Sequence, residues 1–346
     1  MDELEHVSLT VGGCSLDVQD CEESMTLPME KRTLGRTGFE VTRLGLGTYR
    51  FTSEFYIPRT DSLALLERAV GLGINYMDTA PSYGNGESEE LIGRVLRNHP
   101  KKQIFISSKV GQLQRSIVPY AGKEAYVNED RIRRVVDHSL WLLQRDYLDM
   151  LFIHEPEEEI WCWDDGLDAP VLRVFEKLRD EGVIHAIGLG SNSAFFPSRL
   201  AETGRFDVIE IANGYTLLQQ PIAERLLPAA ARHNIGIVAG GPFCNGMLAK
   251  IQDEVLDRIE RENKFGGLLN EHTVPMLRDF YNLSADTGVP IGELAIRYVI
   301  SNPAIHTVIP GAQNPSEVAA NYQAVIKGSL PEDILLEICR IQEKHS

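Results

Sequence analysis

The sequence is poor in the features that mark disulfide, zinc, nucleic-acid or membrane chemistry. Its five cysteines, Cys14, Cys21, Cys162, Cys244 and Cys339, are odd in number, scattered and never paired as C-x-x-C. Neither a disulfide frame nor a metal site is expected from that spacing. No Lys/Arg cluster is present, and 34 basic against 50 acidic side chains leave a net charge of -16. Such a surface repels a phosphate backbone, so no nucleic-acid partner is expected. No apolar run approaches the roughly 18 residues that span a bilayer, and the N-terminus lacks the basic and apolar regions of a secretion signal. The expectation is a cytoplasmic protein with no membrane partner, and nothing in the sequence sets an oligomeric state.

The acidity is unevenly spread. Residues 1–30 contain Asp2, Glu3, Glu5, Asp17, Asp20, Glu22, Glu23 and Glu30 and no Lys or Arg. With few apolar residues and no period, this segment reads as a disordered extension, an acidic docking arm being the alternative. From Lys31 to the end at 346, β-like runs alternate with amphipathic helical segments. Lys31–Arg36 and Glu40–Arg43 suit a hairpin that plugs one end of the alternating region. Strands are expected to begin at residues 44, 75, 104, 149, 184, 208, 236 and 307. Helices are expected at 61–72, 87–98, 129–144, 170–181, 197–203, 221–233, 290–301, 315–326 and 331–343, with helical pieces in 247–285. A chain of 346 residues is long enough for two domains, but strict βα alternation over eight strands predicts one (β/α)8 TIM barrel. It would carry an N-terminal β-hairpin plug and a C-terminal helix. No G-x-G-x-x-G follows an early strand, which argues against a Rossmann unit.

In such a barrel, chemistry sits at the C-terminal ends of the strands. The second strand ends in Asp78, with Tyr83 five residues on; the third ends in Lys109 and the fourth in His154. Singly, each has an ordinary structural role: an N-cap, a core tyrosine, a surface lysine, a packed histidine. Together they converge on one rim, and Lys109 after an apolar strand needs an anion, which Asp78 supplies. An ammonium beside a tyrosine lowers the phenol's pKa from about 10. On this basis Tyr83 is expected to exchange a proton with a substrate oxygen near neutral pH while His154 hydrogen-bonds the same oxygen. No side chain donates hydride, so a nicotinamide cofactor is implied.

These residues lie within a longer series: Asp78-Thr-Ala-x-x-Tyr83-Gly, Lys109 after Ser-Ser, Leu-Phe-Ile-His154, Ile-Gly-Leu-Gly-Ser191-Asn192, and Val-Ile-Pro310-Gly311-Ala312 with Asn321. Over residues 31 to 327 the series resembles the aldo-keto reductase superfamily. That resemblance implies a barrel binding NAD(P)(H) across its rim, with Asp78, Tyr83, Lys109 and His154 as the catalytic tetrad and Tyr83 as general acid/base. It implies that Ser191 and Asn192 hold the nicotinamide carboxamide, and that Glu210 stands at the cofactor where the family commonly has a glutamine making a similar contact. It also implies that Gly240 stands where an aromatic residue commonly stacks under the nicotinamide, and that the loop Gly241-Pro242-Phe243-Cys244-Asn245-Gly246-Met247-Leu248 wraps the pyrophosphate. Asn321 falls on an adenine contact. Members that prefer NADP commonly offer a lysine and an arginine to the 2′-phosphate; Gly311, Ala312 and Glu317 stand there instead. NAD is therefore the expected cofactor, with NADP as the alternative, and a first-turn role in its helix is the other reading of Glu317.

The glycine loop and the Pro310 segment further resemble the branch of NAD-linked aldose, L-galactose and pyridoxal dehydrogenases. Substrate contacts are expected from Tyr49, Phe51, Glu155, Trp161 and Trp163, with loop packing as the alternative for the tryptophans. Glu157, Glu158 and Glu159 read as a solvated run. Three functions stay open: oxidation of an aldose or cyclic hemiacetal to a lactone, reduction of an aldehyde or ketone, and a regulatory barrel that binds cofactor and a partner.

Overall fold

The computed structural model describes residues 28–112, 126–262 and 268–345. Nearly all of the acidic extension, Gly266 and Gly267 lie outside the described residues. A hairpin comes first, with β1 (Lys31–Thr33) antiparallel to β2 (Glu40–Thr42). The barrel strands are β3 (Leu46–Gly47), β4 (Tyr76–Asp78), β5 (Phe105–Val110), β6 (Leu148–His154), β7 (Ile184–Ser191), β8 (Val208–Ala212), β9 (Gly236–Gly240) and β10 (Thr307–Ile309). They form one parallel sheet in sequence order. The Leu44–Val308 bridge and the bond from Gly45 N–H to the Val308 carbonyl, 2.9 Å, join its edges. The predicted (β/α)8 barrel is the observed fold.

Around it lie α1 (Arg59–Gly71), α2 (Glu87–Asn98), α3 (Glu129–Leu143), α4 (Pro170–Asp180), α5 (Phe195–Ala201), α6 (Leu226–His233), α7 (Asp253–Glu262), α8 (Thr273–Thr287), α9 (Ile291–Ser301), α10 (Pro315–Ile326) and α11 (Glu332–Lys344). The helix expected over 221–233 starts only at Leu226. Pro228 is the reason: in a helix begun at 221 it would sit in the interior, without an N–H and against the preceding turn, whereas a start at Leu226 puts it in the first turn.

The strand period of two sorts the barrel's contents. Ile106, Leu151, Ile153, Ile187, Leu189, Ile209 and Ile211 point outward and pack with the helices. Inside, Tyr76, Phe105, Met150, Phe152, Ala186, Val208 and Val238 form a separate cluster with Leu34 and Val41 of the hairpin. Phe39 stacks on Phe105 with centroids 4.8 Å apart. A Cβ on Gly236 would come within 2.7 Å of the Leu34 side chain, so the hairpin closes this end of the lumen, as predicted. The next inward positions toward the other end are Asp78, Ser107, Lys109, His154, Gly190 and Glu210. An apolar floor thus passes into a polar rim along the same strands.

Candidate active site

Asp78 and Lys109 end up buried together, with 2 % and 1 % exposure. Lys109 Nζ donates to both Asp78 oxygens at 2.5 Å and to the Thr79 carbonyl at 3.1 Å. Ser107, two residues earlier on the same face of β5, donates to Asp78 Oδ1 at 2.6 Å. Burial alone would push the Lys109 ammonium toward neutrality, but Asp78, Glu210 and Tyr83 outweigh it and hold its pKa well above the ordinary value. The cation is therefore permanent, and its Nζ lies 5.0 Å from the centre of the Tyr83 ring.

The loop after β4 carries Tyr83 over this pair, and Tyr83 meets His154 edge-on with centroids 6.2 Å apart. His154, at the end of β6, is pushed down to about 3, first by burial and then by Lys109, so it stays a neutral imidazole. Its buried Nδ1 has no partner among the described residues. The expected lowering of Tyr83 does not occur. Burial, together with Asp78 and Glu210, outweighs the stabilising ammonium and raises the phenol well above its usual value. In this structure Tyr83 is an acid that holds its proton. The four residues predicted to converge are thus in contact range, and Ser107, overlooked as a partner of Asp78, was accessible from its period-two spacing to Lys109.

The residues expected at the nicotinamide are already engaged. Ser191 Oγ donates to both oxygens of Glu157 at 2.9 Å, and Asn192 Nδ2 donates to Glu155 Oε1 at 2.5 Å. Burial and the neighbouring Glu157 raise Glu155 to about 7. Glu157 is exposed, as the solvated reading expects, and in addition accepts from Ser191 at this site. The chain turns there because Glu155 takes a left-handed φ of 51°, a conformation the sequence did not signal. Glu210 departs further from expectation: its Oε2 lies 3.3 Å from Lys109 Nζ.

In the loop after β9, Gly241, Cys244, Asn245 and Gly246 all take positive φ. The amides of Cys244, Gly246 and Leu248 close turns onto Gly241 and Phe243 carbonyls, so other donors must face any phosphate. Pro242 and Phe243 belong to the same turn, and the Leu248 side chain is fully buried in a cluster with α8, α9 and α11. After β10, Pro310 accepts from the Gly47 amide at 3.4 Å, nothing approaches the Gly311 Cβ position, and Ala312 is 2 % exposed. Glu317 accepts from the Gln313 amide at 2.8 Å and from Asn314 Nδ2 at 3.0 Å, while its own amide donates to Asn314 Oδ1 at 3.0 Å. This reciprocal cap fixes a carboxylate at the N-terminus of α10. Asn321 is buried one turn further on. Gly240 leaves its Cβ position 3.5 Å from Glu210 Oε1, so the strand end is flush and no ring occupies it. An unpartnered imidazole nitrogen, a permanent cation and a flush rim suit a nicotinamide cofactor.

Of the substrate residues, Tyr49 is half exposed and packs edge-on against Tyr83 at 5.1 Å. Trp163 is partly buried, with its indole N–H donating to the Pro156 carbonyl at 2.8 Å. Phe51 and Trp161 offer no open ring face, at 1 % and 0 % exposure. Trp161 instead donates to the Glu155 carbonyl at 2.8 Å and packs on Tyr126, the loop-packing alternative. Among the described residues no group of acidic, His and Cys side chains could hold a metal, and no helix is long and apolar enough to cross a membrane.

Comparison with known proteins agrees with this geometry. The profile of the aldo/keto reductase family matches residues 43–343. D-threo-aldose 1-dehydrogenase of a Pseudomonas species is 31 % identical over 306 residues, covering 83 % of this chain and 90 % of that protein. Pyridoxal 4-dehydrogenase of Microbacterium luteolum is 28 % identical over 342 residues, covering 88 % and 95 %. The solved holo form of a Bacillus halodurans aldo-keto reductase superposes with a TM-score of 0.73 at 26 % identity, over 91 % of this chain and 96 % of that one. The chain belongs to the aldo/keto reductase family and is an oxidoreductase acting between CH–OH and C=O.

Proposed function

We propose that the protein oxidises an aldose or related cyclic hemiacetal to a lactone with NAD. When bound, the nicotinamide takes up the hydride that no side chain can accept. Tyr83 receives the hydroxyl proton of the carbon being oxidised. Lys109, held by Asp78, which Ser107 in turn hydrogen-bonds, stabilises the phenolate that must exist for that transfer. His154, neutral throughout the physiological range, presents its imidazole to the same oxygen without adding charge. Ser191 and Asn192 would hold the carboxamide after leaving Glu157 and Glu155, the loop from Gly241 to Leu248 would follow the pyrophosphate, and Asn321 would meet the adenine. Tyr49, Glu155 and Trp163 are the remaining candidates for substrate contact.

The observation that carries the choice of NAD is the capped Glu317 beside Gly311 and Ala312. A fixed carboxylate and no cation at that position disfavour a 2′-phosphate. The similarity to aldose and pyridoxal dehydrogenases supports the substrate class. A second reading, reduction of an aldehyde or ketone, is favoured by the raised pKa of Tyr83, which keeps the proton that a reductase must donate. The deciding experiment monitors NADH formation from NAD with a panel of aldoses and pyridoxal, in parallel with NADH or NADPH consumption with simple aldehydes. Turnover of NAD by at least one panel member supports the first reading. Carbonyl reduction with no oxidation at any pH replaces it by the second.

A further inference from the structure

Lys109 is flanked by two buried carboxyls. Besides Asp78 on β4, Glu210 reaches it from β8, across the barrel lumen, with Oε2 3.3 Å from Nζ. Glu210 is 7 % exposed, and this Oε2 makes no hydrogen bond among the described residues, its contact with Nζ being an ion pair. The approach depends on Gly190, the register partner of Glu210 on β7: a Cβ there would stand 3.1 Å from Lys109 Cε. On the other flank Gly240 is also bare beside Glu210 Oε1. The titratable groups acting on Glu210 are Asp78 and Tyr76 from β4, Tyr83 from the following loop and Lys109 from β5; its neighbours on β7 and β9, Gly190, Val238 and Gly240, carry no titratable group.

We propose that Glu210 is a positioning residue of the tetrad, which clamps the Lys109 ammonium opposite Asp78 and sets how firmly Tyr83 keeps its proton. One ammonium flanked by two buried carboxyls is most stable with a single proton on one of the acids. Burial, then Asp78, raises Glu210 to about 8, so it is the acid that carries this proton near neutrality. When it ionises, a second negative charge appears next to the ammonium and strengthens the hold of Tyr83 on its own proton. Carbonyl reduction then survives to higher pH, and the oxidative direction needs correspondingly higher pH. The inference rests on the tetrad acting as proposed above, but on neither the substrate nor the choice of NAD.

The test compares the full-length protein with Glu210→Gln and Glu210→Asp. With benzaldehyde and NADH, the alkaline fall of kcat/KM, where Tyr83 loses its proton, should come about one pH unit earlier in Glu210→Gln than in wild type. Glu210→Asp should restore the wild-type profile, and the KM for NADH should be the same in all three. In the cofactor-free protein, the infrared difference between wild type and Glu210→Gln should contain a protonated-carboxyl band that disappears between about pH 7 and about pH 10. Profiles displaced by one factor at every pH, or a change confined to the KM for NADH, would overturn the inference. If wild type does not turn over the aldehyde, that counts against the reductase reading alone, and the same comparison is made in the oxidative direction with the panel member that reduces NAD, where Glu210→Gln should reach its alkaline plateau at lower pH than wild type; a pH-independent infrared spectrum contradicts the inference in either case.

Discussion

At the scale of single residues, the chemistry depends on which polar groups burial has left bound to one another. Ser191 and Asn192 donate to Glu157 and Glu155, so a nicotinamide carboxamide must displace a carboxylate before it gains their hydrogen bonds. Glu157→Ala should therefore tighten NADH binding by about three- to tenfold, the equivalent of one net hydrogen bond of about 0.5–1.5 kcal/mol. The wild type should bind NADH more weakly as pH rises through the Glu155 pKa of about 7, because ionised Glu155 holds Asn192 more strongly, and in the variant, which loses the like-charged neighbour but not the burial, the decline should come at lower pH. Fluorescence titration with NADH across pH checks both points, and weaker binding by the variant would show that Glu157 supports the cofactor site. The tetrad was legible in the sequence because three of its members end successive strands, where chain order alone places them side by side. Glu157 was not, since its approach needs a left-handed residue at Glu155 that no composition or period announces. The pKa of Tyr83 was misjudged for a related reason: Lys109 is visible in the sequence as a neighbour, whereas the depth of burial that outweighs it is not.

At the scale of elements, one carboxyl of α2 is held against its preference. Glu89 is fully buried against β5 and accepts from Ser108 Oγ at 2.6 Å. Burial raises it to about 7, against the opposing bonds from Ser108 and Ser139. A carboxyl whose folded pKa exceeds its unfolded value binds more protons in the native state, so stability falls as pH rises from about 4.5 to about 7 and stays lowered above that. Glu89→Gln, which cannot ionise, should equal wild type near pH 5 and exceed it by about 1–3 kcal/mol near pH 8 in urea unfolding. Equal stabilities at both pH values would mean that Glu89 ionises without penalty. Most elements could be read from periodicity, since inward and outward sets alternate cleanly along β5 to β9 and the hairpin residues Leu34 and Val41 complete the lumen cluster. The start of α6 lies five residues later than the apolar pattern suggests because Pro228 fits the first turn and not the helix interior.

At the scale of the whole molecule, a plugged barrel presents one open rim, and a second apolar cluster built from α8, α9 and α11 buttresses the loop after β9. The net charge of -16 matters less for the cofactor than the single Glu317 at that rim. A carboxylate near a doubly charged phosphate at surface dielectric opposes binding by about 1 kcal/mol or more, so NADH should bind about tenfold tighter than NADPH, and the gap should narrow with salt. Equal affinities would remove the basis for preferring NAD. The central claim is that Tyr83, set by Lys109, Asp78 and His154, exchanges the proton that accompanies hydride transfer. It is tested most directly by steady-state turnover of wild type and Tyr83→Phe on the same substrate, with NADH affinity measured in parallel. The account predicts that the variant binds NADH as wild type does but loses at least about a hundredfold in kcat. Full turnover by Tyr83→Phe would contradict it.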